Sequence, residues 1–305
     1  IYYETLIYIF VTDIQHMKNL TGKVFKLIRN SKQVSLRQVA GKCISAGQLS
    51  RFERNESHLT VDAFLNSLQR MNVSLEEFQY LYNIYHQIND VRLSQELSEA
   101  YVSKNIVKLN KMLACSQKLM DEASDPLELQ TYTLNYIVIK AIMAYCNSDT
   151  AVTEHEITYL MEYLFSVEEW GRYELWIFTN TAGVLSIETL DTFSSEMLKR
   201  TQLYYGNSNN RRKIHQMLLN IINLSISHER NDIAIKYITH LDKLNISDTD
   251  MYEKLLLNYN KAYYSYSNGN KEALNIMKQC AKFLDFIDCE NLYLRLKDEI
   301  MTLES

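Results

Sequence analysis

The chain has 305 residues, of which 47% are hydrophobic and 23% charged, and a formal net charge of -5. That length accommodates two domains, and that balance of apolar and charged residues excludes an intrinsically disordered chain. A single proline, Pro126, and seven glycines leave few helix breakers, and no Asn-Gly hairpin with alternating flanks occurs, so the expected fold class is all-α.

The charge is unevenly spread. Residues 17–60 carry nine Lys and Arg against two Asp and Glu, whereas residues 61–305 carry 23 basic and 33 acidic side chains. A basic head on an acidic body fits a polyanion-binding module joined to a part that does not bind polyanions. The five cysteines, Cys43, Cys115, Cys146, Cys280 and Cys289, are scattered without CxxC spacing and without a secretory signal before them. They read as reduced thiols in a cytoplasmic protein. Residues Ile1–Val11 form an apolar and aromatic run too short to span a bilayer, and Met17 directly precedes the first well-patterned segment. Residues 1–16 are therefore expected to be an extension or an upstream artefact, and no membrane association is expected.

Residues 17–88 divide into five short helices. The first covers about Leu20–Ser31, with Val24, Leu27 and Ile28 inward. Ser35 with Gln38, Ser45 with Gln48 and Ser74 with Glu77 have the spacing of capping boxes, which start helices two, three and five. Thr60 opens helix four, where Val61, Phe64, Leu65, Leu68 and Met71 are expected to form one buried stripe. Leu75, Phe78, Leu81 and Tyr82 give the fifth helix its apolar face.

Two short helices joined by a tight turn inside such a bundle are what a DNA-reading helix-turn-helix needs. In the stretch Ser45–Arg54, Leu49 and Phe52 face inward. Ala46, Gly47, Gln48 and Arg51 lie on the other side, where Gln48 can pair with adenine and Arg51 with guanine. Phosphate contacts are expected from Arg29, Lys32, Ser35, Arg37, Lys42, Arg54 and Asn55.

The segment SLRQVAGKCISAGQLSRFERNESHLTVDAFLNSLQRMNVSLEEF resembles the XRE-type helix-turn-helix, and in particular the Rgg/MutR group of regulators. QLSRFERNES is the strongest part of the likeness. Asn55 stands where the broader family usually has Gly, and Asn also tolerates a left-handed backbone. The resemblance implies that Gln48 and Arg51 read bases.

Beyond residue 88 the pattern is helix after helix, near 92–122, 126–147, 153–169, 173–185, 187–205, 210–228, 231–245, 249–267, 270–287 and 289–303. Short connections indicate antiparallel pairs. AYYSYSNGNKEA (262–273) resembles the core of a tetratricopeptide repeat, and RNDIAIKY (230–237) repeats the start of its second helix. Residues 89–305 are thus expected to form a TPR-like right-handed helical-repeat domain for sensing and dimerisation. LFSVEEWGRYE (164–174) and the Asn of IFTNTAG extend the resemblance to the Rgg group. It implies that a short signalling peptide lies on the face made by the first helix of each pair, in the manner of quorum sensing.

Asparagines in apolar helices suit capture of a peptide backbone, because the amide both donates and accepts. Asn180, Asn220 and Asn223 are the candidates, with Trp176, Tyr259 and Tyr263 as aromatic walls; Asn258 and Asn260 are weaker cases. Trp170 is assigned to packing. Arg211, Arg212 and Lys213 are read as solvated surface rather than as a seat for an acidic peptide end.

No phosphate-cradling glycine loop, HExxH or GxSxG is present, and His155 between Glu154 and Glu156 cannot converge on a metal. No catalytic residue, cofactor or metal site is expected, so an enzyme is not. The functional expectation is a homodimeric transcription regulator that binds double-stranded DNA under control of a peptide. The alternative is a helical-repeat scaffold for protein partners, without DNA binding.

Overall fold

The structure, a computed structural model, describes residues 20–86, 89–146, 149–244 and 246–304. The expected extension 1–16 lies outside these residues. Every regular element among them is helical. The chain divides into two compact units between Glu99 and Ala100, whereas the sequence placed the boundary after residue 88.

The first unit is built from α1 (Thr21–Ser31), α2 (Leu36–Ala40), α3 (Ala46–Glu53), α4 (Val61–Arg70) and α5 (Leu75–His86), followed by α6 (Asn89–Val102). All three capping boxes form. Ser35 and Ser45 each accept from the backbone N–H three residues on, and Gln38 and Gln48 each return an oxygen to the cap N–H. Ser74 and Glu77 make the same exchange. Thr60 accepts from the Ala63 N–H and starts α4. The core joins Val24, Phe25, Ile28, Val39, Leu49, Phe52, Leu68, Met71 and Phe78. Phe25 meets Phe52 edge-on at 5.4 Å, and Phe64 meets Phe78 edge-on at 4.9 Å.

The buried stripe of α4 differs from the expected one. Ala63, Ser67 and Leu68 are buried with Met71, while Val61 and Leu65 face solvent. The inward face is rotated toward the small residues, because the phenylalanine cluster already fills the space in front of α4. Leu75 of α5 is likewise exposed.

The second unit contains α7 (Ile106–Glu122), α8 (Pro126–Tyr145), α9 (Glu154–Ser166), α10 (Arg172–Thr181) with a 3-10 turn at Ala182–Val184, α11 (Ile187–Arg200), α12 (Ser208–Ser227), α13 (Asn231–Lys243), α14 (Met251–Ser267), α15 (Ala273–Phe286) and α16 (Glu290–Glu304). The sequence read 92–122 as one helix. It is two, because Lys104 adopts a left-handed backbone, φ 47°, and Asn105 caps α7.

Neighbours in sequence pack as pairs, and α8, α10, α12 and α14 also pack side by side. The row continues to α16, through Tyr266 Oη on the Leu303 carbonyl and Tyr259 Oη on Glu299. α11 and α13 back this row, tied by Lys236 to Asp191 at 2.7 Å. Ala234, Ala262 and Ala273, the small residues of the repeat pattern, are all buried where helices approach closely. Trp170 is fully buried and donates to the Leu164 carbonyl, as its packing role requires.

Candidate nucleic-acid interface and ligand face

In the first unit α2 and α3 are joined by the turn at residues 41–45, and Gly41 takes φ 57° there. Leu49 and Phe52 anchor α3 in the core, and Gly47, Gln48 and Arg51 are exposed along its opposite side, with Ala46 half-buried. The Arg51 guanidinium has no hydrogen-bond partner among the described residues. Gln48 is already engaged through Oε1 with the Ser45 N–H at 3.0 Å, so a base must use its amide N–H groups and the second lone pair of that oxygen.

The rim residues separate into two sets. Lys32, Ser35, Arg37 and Lys42 are exposed. The other three have partners within the protein, and for Arg29 this corrects its expected role as a phosphate donor. Arg29 donates through Nε to Glu53 Oε1 at 2.5 Å, through Nη2 to Oε2 at 2.9 Å, and through Nη1 to the Val34 carbonyl. Its guanidinium, held more basic than usual chiefly by the Glu53 hydrogen bond, joins α1 to α3 inside the fold. Arg54 is paired with Glu56 at 2.6 Å, both side chains about half exposed, a surface pair that a phosphate could displace. Asn55 does take the left-handed backbone expected of it, φ 59°. Its Oδ1 accepts from the Gly22 N–H at 3.0 Å and latches the end of α3 to the start of α1, which leaves its amide N–H groups as the donors for a phosphate.

In the second unit the unburied stripe of α12 is Lys213, Gln216, Asn220 and Asn223, at i, i+3, i+7 and i+10. Gln216 and Asn223 of this stripe reach toward Glu253 of α14 and Glu299 of α16. Asn220 is exposed. Asn223 donates to Glu299 Oε1 at 3.0 Å, so its amide is already committed to α16. On α10, Trp176 is half-buried and stacks on Tyr173 at 6.0 Å. The Asn180 amide donates to the Trp176 carbonyl one turn earlier, which leaves its oxygen and a second N–H for a ligand.

Tyr259 and Tyr263 do not wall a groove. Both are buried, and Tyr259 donates to Glu299 Oε2 at 2.5 Å. Burial and the neighbouring Glu299 push the Tyr259 hydroxyl far above its ordinary pKa, so it stays a donor. Asn260 is buried and donates to the Leu219 carbonyl, a helix-to-helix tie, whereas Asn258 is exposed. Lys213 departs from the solvated surface expected of it, because it is half-buried beside α10. Near His155, Glu156 pairs with Lys140 at 2.8 Å and closes the Thr153 capping box.

Sequence reasoning missed Glu53 and Glu299, the two carboxylates that fix these faces. Glu53 carried a signal, as the one acidic residue within α3. Glu299 carried none, since its partners lie 76 and 40 residues away.

A capped, outward-facing third helix on one unit, and a row of helices with a polar and aromatic face on the other, define a helix-turn-helix regulator with a helical-repeat effector part. Residues 116–298 match the family described as HTH-type transcriptional regulator Rgg, C-terminal domain, and the chain belongs to that family. It is 27% identical to the Streptococcus dysgalactiae SHP pheromone receptor Rgg2, with a TM-score of 0.79 over 92% of this chain and 99% of that one. It shares its fold with a putative transcriptional regulator from Listeria monocytogenes EGD-e at 16% identity and a TM-score of 0.78, covering 94% and 98% of the two chains. PrgX in its complex with cCF10 is similar in fold at 18% identity and a TM-score of 0.69, covering 94% and 100%. Among the described residues, no helix is long and apolar enough to cross a membrane.

Proposed function

We propose that this protein is a cytoplasmic, non-enzymatic transcription regulator that binds double-stranded DNA through α3 and is controlled by a short peptide held on the α8–α16 row. The observation that carries the reading is the exposure of Gly47, Gln48 and Arg51 on a helix whose other side is locked into the core. Small residues at 46 and 47 let the helix approach base edges, and Arg51 supplies a free planar donor fork for guanine. Lys32, Arg37 and Lys42 supply phosphate contacts. The pheromone-receptor relative supports a peptide as the controlling ligand. Four helix-to-helix steps of about 9 Å give a face about 36 Å wide, long enough for about ten extended residues.

One helix-turn-helix makes few contacts, so symmetric half-sites and a homodimer follow. Exposed Ile276, Phe283 and Phe286 on α15, Ile287 just past its end, and Leu294 and Met301 on α16 offer the apolar surface for that pairing. Peptide binding then biases which arrangement of the two heads is populated.

The test is binding to mixed duplex DNA at several salt concentrations, followed by selection of a preferred sequence. Affinity should fall steeply with salt. Arg51→Ala should cost about 1–3 kcal/mol and relax base preference at one position, whereas Lys42→Ala should weaken binding evenly across sequences. Salt-insensitive binding with no difference between the two variants would favour the protein-scaffold alternative.

A further inference from the structure

Many cations of the second unit are matched. Arg212 meets Asp250 at 3.0 Å, Arg200 meets Glu196 at 3.0 Å, Lys236 meets Asp191 at 2.7 Å and Lys140 meets Glu156 at 2.8 Å. Lys213 stands apart, because among the half-buried cations of that unit's described residues it alone has no hydrogen-bond or ion-pair partner, and Arg172 stands on the helix next to it. No carboxylate among the described residues pairs with either one.

The carboxylates around them are occupied elsewhere. Glu174 accepts from the Gly171 N–H at 2.9 Å and from Tyr163 Oη at 2.8 Å. Glu169 accepts from the Leu203 N–H, and Glu253 accepts from Gln216 at 3.1 Å. Asp250 is taken by Arg212. Lys213 is half-buried on α12, which packs against α10, where Arg172 stands. The two like charges act on each other, and burial and Arg172 both draw the Lys213 ammonium below its ordinary pKa.

Arg172 also opens α10, where a cation opposes the helix dipole. Two local rules are therefore broken at one place: a partly desolvated cation lacks a counter-charge, and its neighbour is a second cation at the wrong end of a helix. Such conflicts persist where a ligand resolves them. The pair lies at one end of the open stripe of α12, and Tyr173 and Trp176 form a stacked aromatic ledge next to it on α10.

We propose that the ligand of the α8–α16 face carries a carboxylate beside an apolar side chain, and that Arg172 and Lys213 hold that carboxylate between α10 and α12. This rests on the reading of that face as a peptide site. The carboxylate is either the peptide's own C-terminus or an Asp or Glu side chain.

The full chain would be incubated with three synthetic random octapeptide libraries, and retained peptides identified by mass spectrometry. One library has free C-termini, one is C-terminally amidated, and one is amidated and made without Asp and Glu. Recovery from the third should fall at least tenfold. Loss already in the amidated library assigns the chain terminus, and loss only in the third assigns a side chain. Lys213→Met and Arg172→Gln should each abolish the preference, and Lys213→Arg should keep it. Lys213→Met should melt no lower than the parent chain, because it removes a desolvated charge, which a purely structural lysine would not allow. Arg172→Gln lies at an exposed position and serves if the lysine variant misfolds. Equal recovery from all three libraries overturns the carboxylate proposal alone. Retention of no peptide from any library removes the peptide reading and this proposal with it.

Discussion

Arg29 on α1 and Glu53 at the end of α3 form a two-pronged ion pair, 2.5 Å at its shorter arm, with side chains only 12% and 4% exposed. A charge so far out of water is stable only with its partner, and removing one member strands the other. Arg29→Met should therefore destabilise the first unit by about 3–5 kcal/mol. The double change Arg29→Met with Glu53→Leu should recover most of that loss. Hydrogen exchange at the α1 and α3 amides, read within the full chain, measures both without assuming that the two units unfold together.

The latch between Asn55 and Gly22 gives a second, graded expectation. Asn55→Gly keeps the left-handed backbone and loses one hydrogen bond, for a cost of about 1 kcal/mol. Asn55→Ala adds the strain of a Cβ in that conformation, about a further 1–2 kcal/mol. Gly22→Ala should be worse than either, because a Cβ there would sit 1.9 Å from the Phe52 carbonyl oxygen. Urea unfolding of the three variants, followed by exchange at α1, should give that order.

His215 on α12 is buried, with Nε2 against Tyr205 Oη at 3.2 Å and Nδ1 without a partner. Burial lowers its pKa and outweighs the attraction of Glu253 and Asp250, which face it from α14, while Arg211 and His240 add to the lowering. Its contribution to stability is complete above the unfolded value of about 6.5 and is lost as pH falls from there through the depressed folded value. Thermal stability should thus decline below about pH 6.5, by at most about 1.4 kcal/mol per pH unit for this one proton. His215→Gln should flatten the profile. His240, also lowered by burial, accounts for a remaining slope, which a double variant tests.

Glu299 ties α16 to two helices of the row, accepting from Asn223 and from Tyr259. Glu299→Ala leaves the buried Tyr259 hydroxyl without an acceptor, for a cost of about 1–3 kcal/mol. Faster exchange should appear in α16 and spread to α14. Glu299→Gln retains an acceptor and should show most of its effect at the Asn223 contact alone.

The helices of both units, apart from the break at Lys104, and four of their caps are readable from sequence because they depend on local rules. Ser-x-x-Gln spacing sets α2 and α3 within four residues, and the structure needed nothing further to start them. Val61 and Leu65 were misplaced because periodicity states only that a helix has an apolar face. It does not state that Phe64 meets three other rings and fixes the rotation of α4. For the candidate sites the division is the same. The exposure of Gln48 and Arg51 followed from their neighbours in α3. The engagement of Arg29 by Glu53, and of Tyr259 by Glu299, depends on partners 24 and 40 residues distant. A tyrosine stripe at helical spacing reads alike whether it lines a groove or fills a core, and only the depth of packing decides.

If Gln48 reads a base as proposed above, its second duty in the Ser45 capping box bears on how such a regulator diverges. A glutamate at the third helical position closes a Ser-headed box as well as glutamine does, as Ser74 and Glu77 demonstrate in the same unit. Exchanging one for the other at position 48 would preserve the helix start while replacing an adenine-matching amide with an acceptor suited to cytosine. On that proposal, operator choice at that base pair is uncoupled from the integrity of the fold, and related genes could drift apart in their targets through a single conservative codon change.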